Sequence, residues 1–121
     1  MKVSGVMLGS SQPKVLGEFY TKVFGEPGFQ EDDWYGYGDN GSSLMLGSHS
    51  EVNGSSKEPQ RIMINLTVED VKVEFERLKT CGATVVAEPY RPDADNNPDL
   101  WLATVADPDG NYLQISVPWE G

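Results

Sequence analysis

With 121 residues, of which 38% are apolar, the chain has material for one compact domain with a real core and too little for two large independent ones. Nineteen acidic against nine basic residues give a formal charge of -10, which repels phosphate backbones and anionic bilayer faces and argues against nucleic-acid or membrane partners. The single cysteine, Cys81, cannot close an internal disulfide, and no apolar run is of signal-peptide or membrane-spanning kind, so a soluble, cytoplasmic protein is expected.

In chain order, the apolar stretch from Val3 to Gly9 predicts a short strand, and Gln12-Pro13 then opens a helical pattern. Val15, Leu16, Phe19, Tyr20 and Val23 recur at helical spacing, and Gly25 followed by Pro27 ends the run. Trp34, Tyr35 and Tyr37, an Asp39-Asn40-Gly41 turn and the alternating Ser43-Leu44-Met45-Leu46 predict a hairpin. From Ser48 to Glu58 the chain is polar and rich in Gly and Ser, the composition of a linker or mobile loop.

The same order then returns. Arg61 to Val68 alternates as a strand with Ile62, Ile64, Leu66 and Val68 on one face, and Glu69-Asp70 supplies acidic residues for a helix start. Val71, Phe75 and Leu78 mark that helix's buried stripe before Gly82. Val85-Val86 is a further strand, Arg91 to Pro98 a polar loop, and Leu100 to Val105 with Tyr112 to Val117 a hairpin across Asp107-Pro108-Asp109-Gly110.

The halves correspond in detail. Pro13 and Gly25 stand 57 positions before Asp70 and Gly82, and turn glycines Gly41 and Gly110 differ by 69, which matches Leu44 with Leu113, Met45 with Gln114 and Leu46 with Ile115. The expected architecture is α+β: two copies of a strand-helix-three-strand unit in one domain over residues 1–121, module one over about 1–49, a linker over about 50–59 and module two over about 60–121. Each unit is too small to bury a face alone.

Three segments carry a family resemblance: Ser11-Gln12-Pro13 leading into Phe19-Tyr20-Thr21-Lys22-Val23-Phe24-Gly25, then Leu66-Thr67-Val68-Glu69-Asp70-Val71, then Asp107-Pro108-Asp109-Gly110-Asn111 with its strand. In this order they resemble the vicinal oxygen chelate superfamily of glyoxalase I, bleomycin-resistance proteins, fosfomycin-resistance enzymes and extradiol dioxygenases. The resemblance implies two βαβββ modules whose sheets curl into a cup. Where relatives hold a metal, it implies ligands near Ser4 or Gly5, at Met63, and at the hairpin positions Met45 and Gln114. Of these only Gln114 is a plausible ligand, and a neutral amide cannot hold a divalent ion without carboxylates or imidazoles. His49, the single histidine, lies beside the polar loop and is expected in solvent. No metal or other cofactor is expected.

Strand parity gives an independent line. With Ile62, Ile64 and Leu66 against the helices, Arg61, Met63, Asn65 and Thr67 face the cup, as do Tyr112, Gln114 and Ser116, together with Ser43, Met45 and Gly47 and, by alternation, Met7. Thioethers are polarizable and adaptable, so three of them facing a concavity suit a bulky apolar ligand, or simply fill a collapsed cup. A soft Cu(I) site is set aside because no Cys or His accompanies them. Trp34 and Trp101 precede the two hairpin turns and Trp119 lies on the tail, where aromatic rings can wall a planar compound or serve as edge packing or dimer contacts. Tyr35, Tyr37 and Tyr112 offer hydroxyls. Arg61 either orients an anionic group or is a rim charge paired with an acid.

The candidate ligand-binding set is therefore Met7, Trp34, Tyr37, Met45, Arg61, Met63, Asn65, Trp101, Tyr112 and Gln114. The acidic, aromatic and Met-lined chain resembles the metal-free, drug-sequestering bleomycin-resistance branch, which implies a homodimer and a small, cationic or aromatic ligand such as an antibiotic or toxin. The alternative is a metal-dependent enzyme of the same superfamily, a lactoylglutathione-lyase-like lyase or isomerase or a dioxygenase, with atypical ligands. A third possibility is a collapsed cup whose dimer surface is the functional part.

Overall fold

The structure, a computed structural model, describes residues 1–118, so Trp119 lies outside the described residues. The elements run β1 (Val6–Ser10), α1 (Pro13–Phe24), β2 (Phe29–Glu31), β3 (Trp34–Tyr37), β4 (Leu44–Ser48), a 3-10 turn (Pro59–Arg61), β5 (Met63–Thr67), α2 (Val71–Thr80), β6 (Thr84–Tyr90), β7 (Leu102–Ala106) and β8 (Tyr112–Ser116). They build two four-stranded sheets of the same topology, ordered β1-β4-β3-β2 and β5-β8-β7-β6. In each the first strand runs parallel to the last, while the other pairs are antiparallel. The chain divides into two compact units between Ser55 and Ser56. Among the described residues no helix is long and apolar enough to cross a membrane.

In the first unit α1 starts on Pro13, whose fixed φ suits the first helical position, and ends at Gly25, where φ is +90. The Gly25 N–H closes the last turn on the Thr21 carbonyl at 2.8 Å. The buried stripe of Leu16, Phe19, Tyr20 and Val23 covers β1, β3 and β4, where Leu44, Leu46, Tyr35 and Tyr37 are buried in turn. Burying a side chain of the size of Leu16 or Leu46 fully contributes about 1.5–3 kcal/mol. Helix and sheet approach closely because position 17 is a glycine: a Cβ there would stand 2.7 Å from the Tyr35 ring.

In the second unit Asp70 caps α2, its Oδ1 accepting the Val73 N–H at 3.1 Å. Val71, Phe75 and Leu78 face β6, β7 and β8, and Ala103, Val105, Leu113 and Ile115 complete the core. The turn before β8 is held by the buried Asp107 carboxylate. It accepts the backbone N–H groups of Asp109 (2.9 Å) and Asn111 (3.0 Å) and the Asn111 side-chain amide (2.9 Å).

Three expectations need correction. The first strand begins at Val6, with Val3 92% exposed and outside it. The strand read from Arg61 begins at Met63, because Pro59 starts a 3-10 turn that carries Arg61, and Ile62 is 70% exposed rather than packed on a helix. The third strand that the strand-helix-three-strand unit requires in module one, not located in the sequence, is the short exposed β2, which pairs with β3. The Ser48 to Glu58 stretch holds no helix or strand after Ser48 and makes hydrogen bonds at several points: Val52 N–H to the His49 carbonyl (3.1 Å), Gly54 N–H to Ser11 Oγ (3.1 Å), Ser56 N–H to the Asp109 carbonyl (2.8 Å).

Candidate functional site

Each sheet has a helix-packed face and a helix-free face, and the alternation of side chains decides which residues lie on the second. In the first sheet Leu44 and Leu46 are buried toward α1, so Met45 points the other way. Its partner in β1 is Met7, 57% exposed, and its partner in β3 is Gly36. In the second sheet Leu113 and Ile115 are buried toward α2, leaving Gln114 on the open face between Asn65 of β5 and Thr104 of β7. Met63 and Tyr112, paired in register, share that face.

The two rows are equivalent, Met7-Met45-Gly36 in one module and Asn65-Gln114-Thr104 in the other. The register sets Met7 against Asn65, 58 positions on rather than 57, and the helix starts agree, Gln12 matching Asp70 as the N-cap residue. The residues opposite Met45 and Gln114 are thus Met7 and Asn65, not Ser4 or Gly5 and Met63 as the resemblance implied. Gly5 lies outside β1.

Neither row suits a divalent ion: the first offers two thioethers and the second two carboxamides, and no member of either row brings a charge or an imidazole. Among the described residues no group of three or more His, Cys, Asp or Glu side chains is placed to hold an ion. The donor set does not fit the metal that the resemblance implies.

Glycines shape the open face of the first sheet. A Cβ on Gly47 would collide with the Trp34 indole, so Trp34 lies across β4, on the same face as Met45. A Cβ on Gly36 would collide with the Gly41 carbonyl, and one on Gly9 would stand 3.1 Å from both His49 Cβ and Val52 Cγ2. The Gly41 turn, the indole and the His49-Val52 segment thus each rest on a glycine. The alternation Gly9, Gly36 and Gly47 at open-face positions was the available signal for this in the sequence. His49 is exposed, its Nδ1 accepting the Glu51 N–H at 3.1 Å.

Three candidates stand elsewhere. Tyr37 is 3% exposed and its hydroxyl is engaged inside the first unit, by the Gly17 carbonyl and Thr21 Oγ1, both at 2.9 Å. Burial raises its pKa above the ordinary tyrosine value, and the Thr21 hydrogen bond opposes that in part. Arg61 pairs with Glu58 at 2.7 Å, both side chains well exposed. Trp101 lies beside the start of α2, with Lys72 Nζ 4.0 Å above the ring centroid and the Arg91 guanidinium 5.5 Å from it. A depression of about 340 Å³ lined by Asp70, Lys72, Asp99 and Trp101 opens there. A second, of about 380 Å³, lies beside α1 between Thr21, Gln30 and Tyr35. Neither contains a residue of the Met7 or Gln114 rows.

Comparison with known proteins follows the same lines. No curated protein matches the chain. Among solved structures, a glyoxalase-related enzyme from Fulvimarina pelagi superposes with a TM-score of 0.75 at 21% identity, over 98% of this chain and 88% of that one. A glyoxalase/bleomycin resistance protein from Albidiferax ferrireducens T118 gives 0.74 at 19% identity, over 96% and 98%. A glyoxalase/bleomycin resistance protein/dioxygenase family enzyme from Burkholderia phytofirmans PsJN gives 0.70 at 21% identity, over 97% and 98%. At these identities the likeness establishes the vicinal oxygen chelate fold and no activity. The model of the glyoxalase-like domain matches residues 5–116, nearly the whole chain, and the chain belongs to that family.

Proposed function

We propose that this chain binds a small organic molecule on the helix-free face of a sheet, without a divalent metal, and acts by sequestering it. The observation that carries this reading is the composition of the paired rows, Met7 with Met45 and Asn65 with Gln114, where thioethers and amides stand in place of charged metal ligands. Thioethers adapt to an apolar surface, and amides give a ligand donors and acceptors without charge. Met63, Tyr112 and the Trp34 indole extend the same chemistry. Tyr37, Arg61 and Trp101 are not part of this set. The charge of -10 favours a cationic or neutral compound over an anion.

A thermal-shift screen in chelator-treated buffer tests this, because any ligand that binds only the native state raises its melting temperature. The expected result is a shift with organic compounds, reduced in Met45→Ala and Gln114→Ala. Stabilisation by divalent ions alone would refute it.

A further inference from the structure

We propose that Met7, Met45 and His49 form a soft-metal site on the helix-free face of the first sheet, fitted to a monovalent d10 ion such as Cu(I) or Ag(I). The inference is independent of the organic ligand proposed above. From sequence alone such a site fails for want of an imidazole beside the thioethers. The fold supplies one.

Met7 and Met45 are direct register partners in the parallel β1-β4 pair, on strands about 4.8 Å apart, so both thioethers rise from neighbouring positions on one face. Gly9 and Gly47 are the next partners along that face. Because Gly9 has no side chain, His49 occupies the space above it, its Cβ 3.1 Å and its Cγ 3.7 Å from where a Gly9 Cβ would be. The His49 side chain thus stands over Gly9, the open-face position next to Met7 on β1. All three side chains are at least partly accessible, so an ion can enter. The Nδ1 bond to the Glu51 N–H is exposed, and water can replace it when the ring turns to coordinate. Two neutral sulfurs and one neutral nitrogen satisfy a soft monovalent ion and leave a hard divalent one without charge compensation.

The test uses the full chain carrying Cys81→Ser, which removes the single thiol, titrated anaerobically with Cu(I) against a chromophoric Cu(I) chelator and separately with Ag(I). The expected result is one equivalent bound, with no competition from Mg²⁺ or Zn²⁺. Since even outer-shell changes commonly cost metal sites about 10-fold or more, Met7→Leu, Met45→Leu and His49→Phe should each weaken binding by at least about 10-fold. Ile62→Met, which adds an exposed thioether in the other unit, should leave it unchanged. Met7→Leu is the decisive variant because that side chain is mostly in solvent and its loss leaves the core intact. Failure of the Cys81→Ser chain to retain the ion, or equal affinity in Met7→Leu, would overturn the proposal.

Discussion

The hydroxyl of Tyr37 has one proton, and the Gly17 carbonyl 2.9 Å away is its acceptor, so the Thr21 hydroxyl must be the donor in the second contact. Removing the oxygen in Tyr37→Phe deletes two hydrogen bonds in a buried place and should cost about 1–2 kcal/mol in denaturant unfolding. The pH dependence has a definite sign. Burial raises the folded-state pKa above the unfolded value, so the stabilisation from keeping this phenol neutral is full below about pH 10 and is lost as pH rises through the higher folded value. The gap in stability between wild type and Tyr37→Phe should therefore narrow above about pH 10. A gap that stays constant or widens there would contradict the assignment. In the sequence Tyr37 reads like any aromatic beside a hairpin turn. Its hydroxyl was expected to face a ligand, because the partner on α1 is 16 residues away and no periodicity reveals it.

At the scale of elements, the periodic parts were legible and the short or aperiodic parts were not. Both helices follow from 3.6-residue stripes and their flanking Pro13, Asp70, Gly25 and Gly82, and both hairpins from their turn residues. Strand β2 escaped because Phe29, Gln30 and Glu31 are all exposed, so no alternation marks them. Arg61 and Ile62 alternate as a strand would, yet Pro59 starts a 3-10 turn that carries Arg61 and leaves Ile62 before the first paired residue, Met63. The open faces follow from strand parity, whereas the first-strand positions Gly5 and Met63 that the resemblance implied stand two residues before Met7 and Asn65 in both modules. Helix α1 also carries a test of packing against propensity. Gly→Ala inside a helix normally gains about 1 kcal/mol. At position 17 the new methyl would stand 2.7–2.8 Å from three atoms of the Tyr35 ring, which is itself only 9% exposed. Overpacking of this kind costs about 1–3 kcal/mol, so Gly17→Ala should be net destabilising by urea unfolding. A more stable Gly17→Ala protein would mean that Tyr35 can leave its place at little cost.

The whole chain is held together against its own charge. Nineteen acidic residues against nine basic ones leave -10, and three ion pairs among the described residues, Arg61-Glu58, Arg77-Glu74 and Lys79-Glu76, are local i,i+3 contacts on the surface. Such pairs contribute about 0–1 kcal/mol each, too little to offset repulsion that grows when the chain is compact. Screening should therefore help the native state. At about 0.01 M salt the Debye length is roughly 30 Å, longer than a small domain's radius, while at about 0.15 M it is roughly 8 Å and distant carboxylates cease to interact. Raising NaCl across that range should raise the melting temperature by a few degrees, the equivalent of about 1 kcal/mol, with little further gain beyond it. The same change should slow association of a cationic probe and leave a neutral one unaffected, because only the first is drawn in by the net field. A melting temperature that falls with added NaCl would show that the local ion pairs outweigh the net charge, and the preference for cationic ligands would lose its basis.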